Sequence, residues 1–119
     1  MLRILILFTY LLNVNFVRAQ IEIPIDSVSS YIGIGIKVCD QVTDTFRPKG
    51  DNKPSYLNFG GKYPDHTFTV VIFAKDLPNF PFNPVVEYKN KKLCVTGMGA
   101  EYKGSPQIVA RFPEQIVIQ

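Results

Sequence analysis

The sequence predicts an all-β domain, a small closed sheet of five strands, and three observations predict it. First, 9 Pro and 8 Gly in 119 residues interrupt helices and supply turns. Second, runs of β-branched and aromatic residues recur at strand length between those breakers. Third, the longest such run outside the N-terminus, Phe68-Thr-Val-Val-Ile-Phe-Ala-Lys-Asp-Leu77, has no strongly polar face. Phe68, Val70 and Ile72 fall on one side, and Thr69, Val71 and Phe73 on the other. Such a strand is covered on one side by a core and on the other by a ligand or partner. A hydrophobic content of 46%, with 9 Phe and 6 Tyr, is enough for one core.

The first nineteen residues stand apart. Met1-Leu-Arg3 is a short basic start, Ile4 to Leu12 is an apolar run, and Val17-Arg-Ala19 precedes a cleavage position. This is the pattern of a secretory signal peptide over 1–19, cut after Ala19. The apolar run is closed by Asn13, Asn15 and Arg18, well short of the ~20 residues of a membrane span. Export predicts a secreted or periplasmic protein whose domain occupies 20–119. Removing Arg3 and Arg18 from the 13 Lys+Arg leaves 11 against 10 Asp+Glu, a net of +1. With so small a net charge, any affinity for a polyanion has to come from local clusters.

The elements follow in order. Ile21 to Ile25 is an extended lead-in, and Asp26 to Ser30 suits one helical turn. The first strand runs from about Ile34 to Phe46, with Ile36, Val38 and Val42 inward and Lys37, Cys39 and Thr43 outward. Gly33 and Gly35 fit a bend near its start. Arg47 to Pro54 is a loop with three cations. The second strand is Ser55 to Phe59, with Leu57 and Phe59 inward and Tyr56 and Asn58 outward. Gly60 to Asp65 is a turn, and His66 to Ala74 is the third strand. Pro78, Pro81 and Pro84 forbid a long helix in the next connection and leave one turn over Pro84 to Lys89. Leu93 to Tyr102 is the fourth strand, with Gly97 and Gly99 allowing coiling. Lys103-Gly-Ser-Pro106 is a hairpin turn, Gln107 to Phe112 the fifth strand, and Glu114 to Ile118 a short final extended piece.

The chemistry-bearing residues are few. Cys39 and Cys94 are two in number in a chain read as exported, which permits a disulfide; two buried thiols would fit the sequence as well. One His in the chain argues against a zinc site, and no metal or cofactor is implied. His66 has no nucleophile motif beside it, Asp40, Asp44 and Asp65 are scattered, and Gly60-Gly61 lacks the rest of a phosphate-cradling loop. The chain therefore reads as a binding module and not as an enzyme.

Several segments in order carry a resemblance: Val38-Cys-Asp-Gln-Val42, Tyr56-Leu-Asn-Phe-Gly60, Phe68 to Phe73, Lys92-Leu-Cys-Val-Thr-Gly97, and Tyr102-Lys-Gly-Ser-Pro-Gln-Ile108. Together they resemble small bacterial OB-fold domains of the nucleic-acid-binding type, some of which accompany secreted nucleases. The resemblance implies a five-stranded Greek-key barrel, with a Pro-broken segment between the third and fourth strands. It also implies that strands two and three form the binding face. On that face Tyr56 and Phe73 would stack on bases, with Asn58 beside them. Arg47, Lys49 and Lys53 would contact phosphates from the flanking loop, with Lys62, Lys75 and Lys103 nearby. In such a barrel the first and fourth strands pair, and the shared outward parity of Cys39 and Cys94 lets them bond. The expected function is weak binding of single-stranded DNA or RNA. The alternative is an exported module for a protein partner or an envelope oligosaccharide.

Overall fold

The computed structural model describes residues 20–119, so the expected signal peptide and its cleavage site lie outside the described residues. Seven strands form among them: β1 Ile21–Ile23, β2 Gly35–Phe46, β3 Ser55–Phe59, β4 Phe68–Ile72, β5 Lys92–Tyr102, β6 Ser105–Val109 and β7 Ile116–Ile118. Five close into a barrel in the order β2-β3-β4-β6-β5, with β5 returning to β2. All of these pairs are antiparallel except β4 with β6. This is the expected Greek-key barrel. The lead-in and the final extended piece add β1 beside β2 and β7 beside β5.

The barrel is filled by alternate residues of each strand. Ile36, Val38 and Val42, Leu57 and Phe59, Phe68, Val70 and Ile72, Leu93 and Val95, and Ile108 are all essentially inaccessible. The Phe59 and Phe68 rings, on paired residues, lie 5.5 Å apart. In place of a long helix, the β4–β5 connection uses a 3₁₀ turn, Ala74–Asn79, and one helical turn, α1, Pro84–Glu87, capped by Asn83 accepting from the Val85 N–H. Phe80, Phe82 and Tyr88 in this connection pack edge to face on one another, Phe82 between the other two. Burial pushes the Tyr88 hydroxyl up to about 12, with the Glu87 charge adding to it.

Two strand boundaries and one register differ from the sequence reading. The third strand is shorter than His66 to Ala74 and stops at Ile72, which pairs with Ser55. Pro54 has no N–H to continue that ladder, and the chain turns into the 3₁₀ segment. The fifth strand starts two residues early and stops at Val109. Lys103 and Gly104, with φ of 50° and 79°, make a two-residue turn that pairs Tyr102 with Ser105 at once. Pro106 is tolerated because pairing with β4 begins only at Gln107. The third difference is inside β2. Val42 pairs with Phe59 and Asp44 with Asn58, so Thr43 is an extra residue in a bulge. Glycine at 99 is required by a close approach: a Cβ there would meet the Tyr31 carbonyl oxygen.

Candidate nucleic-acid interface

The bulge decides what the outer face carries. Beyond it, strand parity inverts, so Thr45 faces the same way as its partner Leu57, and Asp44 and Phe46 face outward with Asn58 and Tyr56. The Thr43 hydroxyl holds the bulge in place: it donates to the Gly61 carbonyl at 2.6 Å and accepts the Gly61 N–H at 3.2 Å. That also fastens the β3–β4 loop to the sheet.

Two rows of side chains cross this face. One runs Phe46, Tyr56, Val71, Val109; the other Asp44, Asn58, Thr69, Gln107. In the first row Phe46 is 56% exposed, Tyr56 is half-buried, and Val71 is buried between them and β6. The second row is a hydrogen-bonded chain. Thr69 Oγ1 donates to Asn58 Oδ1 at 2.8 Å, and Asn58 Nδ2 donates to Asp44 Oδ2 at 3.4 Å. The Tyr63 backbone N–H reaches the same Asp44 oxygen at 3.3 Å. At one end the exposed Tyr63 ring stacks on His66, with centroids 5.7 Å apart.

The residues named from sequence are placed as follows. Tyr56 is on the outer face and shares it with Phe46. Asn58 is on it but only 3% exposed, its amide already bonded on both sides. Phe73 lies past the end of β4, 41% exposed, and is not a strand neighbour of Tyr56. Arg47 lines a groove of about 550 Å³ between the β2–β3 loop and the β4–β5 connection, with Asn52, Leu77, Phe82 and Asn83. Lys49 and Lys53 are exposed in the same loop, Lys62 in the β3–β4 loop, and Lys75 in the 3₁₀ turn. Lys103 is exposed at the β5–β6 turn, its ammonium 5.4 Å from the centre of the Tyr102 ring. Phe46 and Tyr63 are not named from sequence, and Asp44 is read there only as one of three scattered carboxylates, because only the bulge and the folded loop bring them to this face.

Cys39 and Cys94 are register partners on β2 and β5 and are bonded. The bond lies on the half of the barrel formed by β1, β2, β5 and β7, away from the two rows. Among the described residues no group of three or more His, Cys, Asp or Glu side chains converges as a metal site would. Among them, too, no helix is long and apolar enough to cross a membrane.

No family model and no curated protein matches the sequence. Solved structures do match in shape. The structure of yeast Stn1 and Ten1 superposes with a TM-score of 0.58 at 13% identity, covering 85% of this chain and 63% of that one. A putative aspartyl-tRNA synthetase from Leishmania major superposes with a TM-score of 0.51 at 11% identity, covering 98% of this chain and 25% of that one. This chain thus spans less than two thirds of the length of either. At such identities the likeness concerns fold alone, and it agrees with the strand order: the chain folds as an OB-type barrel.

Proposed function

We propose that this domain is a non-catalytic module that binds single-stranded nucleic acid, weakly and with strong salt dependence, across the outer face of β3 and its neighbours. One observation carries the reading: Phe46 and Tyr56 stand side by side on an open sheet face, and Arg47 follows Phe46 into the adjoining groove. Flat aromatic surfaces accept any base, and cations at the rim hold the backbone. Lys49, Lys53 and Lys103 extend the rim on two loops, with Lys62 and Lys75 further along. A net charge of +1 beyond Ala19 gives little long-range attraction, so binding is local and modest.

Fluorescence anisotropy with labelled oligothymidine and its RNA counterpart tests this. With Arg47, Lys49, Lys53 and Lys103 on phosphates, the plot of log K against log salt should have a slope of about −3, and Arg47→Ala should reduce it by ~0.7. An unchanged anisotropy at low salt defeats the reading, and an oligosaccharide panel and partner capture then become the relevant assays.

The chain is also proposed to be exported. The leader pattern over 1–19 and a disulfide suited to an oxidising compartment support this. Mass spectrometry of protein recovered outside the cytoplasm should find Gln20 as the N-terminal residue; an intact Met1 on cytoplasmic protein would count against it.

A further inference from the structure

Stacking and phosphate contacts leave one feature of this face without a use, a carboxylate at the β2 end of its second row. Asp44 is half-buried in the row next to Phe46 and Tyr56. A surface that meets only phosphates gains nothing from a negative charge there. Yet Asp44 is held in place. Asn58, 3% exposed, takes the Thr69 hydroxyl hydrogen on Oδ1, which fixes its amide so that Nδ2 points to Asp44. The Tyr63 N–H adds a second donor. Both reach Oδ2, and neither reaches Oδ1. A carboxylate has about four lone-pair sites, two on each oxygen, so with two donors on Oδ2 the free acceptor capacity is on Oδ1.

The spacing suits a base edge. Side chains of successive rows on one face are two residues apart along the strand, about 7 Å. A base stacked in the Phe46–Tyr56 row therefore presents its edge to Asp44. We propose that Asp44 reads that edge and makes this face prefer guanine. Guanine alone among the bases offers two adjacent donors, N1–H and the N2 amine, and the two lone pairs of the free Oδ1 can accept both. Adenine and cytosine place a ring acceptor beside their amine, and thymine and uracil have one N–H between two carbonyls. In single strands these edges are free to be read. The inference rests on the single-strand reading of the face, and replaces its indifference to sequence with a preference at one position.

The test uses anisotropy at low salt with an oligothymidine of about 12 nucleotides, alone or with one central dG, dA, dC or deoxyinosine. The dG strand should bind roughly five- to tenfold more tightly than the dA strand. Deoxyinosine, which lacks the N2 amine, should lose most of that gain, and this arm requires no change to the protein. Asp44→Asn retains an acceptor for Tyr63 and Asn58. It should bring the dG and dA strands within about twofold of each other. If the parent binds oligothymidine but treats dG and dA alike, or if Asp44→Asn keeps the preference, the inference fails while the binding reading stands. If no strand binds, the functional reading itself has failed and this inference with it.

Discussion

Replacing Phe46 and Tyr56 together by Ala is expected to lower affinity for single strands by at least about thirtyfold. Each base stacked on an aromatic ring contributes ~1–3 kcal/mol by such truncation. Two rings therefore exceed the contribution of any one rim cation, which is worth a fraction of the salt-dependent term. The fold should survive: Phe46 is 56% exposed and Tyr56 half-buried, both on the outer side of the sheet, and neither fills the barrel. Tyr56→Phe keeps the ring and should bind as the parent does. Phe73→Ala should cost less than Phe46→Ala, since Phe73 is beyond the last β3–β4 pair. Anisotropy on each variant, with circular dichroism to verify folding, checks the series. A double variant that binds like the parent would remove the aromatic row from the site.

The contrast between Phe46 and Phe73 shows where sequence pattern sufficed and where it did not. Ser55 to Phe59 is bounded by Pro54 and Gly60, and simple alternation put Leu57 and Phe59 inside and Tyr56 outside. Alternation failed in β2 because it assumes an unbroken ladder. Continued past Val42 it sends Asp44 and Phe46 into the barrel, and an unpaired carboxylate among Val42, Leu57 and Phe59 would be very costly. That conflict was legible, and it required an inserted residue before Asp44. Phe73 failed for a different reason: a strand end is set by where its partner stops, and Pro54 ended the ladder on the neighbouring strand. The edge strands β1 and β7 have three residues each, too few for a pattern to identify. The groove beside Arg47 is made by two loops distant in sequence and has no local signal.

Removing the Cys39–Cys94 bond is expected to lower stability by about 3 kcal/mol without changing ligand binding. The bond links residues 55 apart, and the enclosed segment contains β3, β4 and α1. Closing a loop of that length restricts the unfolded chain by ~4 kcal/mol in the chain-entropy account, and measured values commonly fall at 2–4. The expected loss is toward the middle of that range because the two strands remain joined without it. Gly35 to Gln41 pair continuously with Met98 to Lys92, so the native barrel has its own means of keeping β2 on β5. For a domain of this size 1 kcal/mol is roughly 4–8 °C, so Cys39→Ala with Cys94→Ala should melt about 12–24 °C lower. Reductant should bring the parent to a similar midpoint and leave the double variant unmoved. Because the bond is on the β1-β2-β5-β7 half and the aromatic row is on β2 beyond the bulge and β3, oligothymidine affinity below the melting range should be the same in both proteins. A midpoint that does not respond to reductant or to the double substitution would mean that the strand ladder alone sets the stability of this half of the barrel. A loss of affinity that parallels the loss of stability would instead mean that the two halves respond as one, and that the bulge at Thr43 does not insulate the face from the sheet behind it.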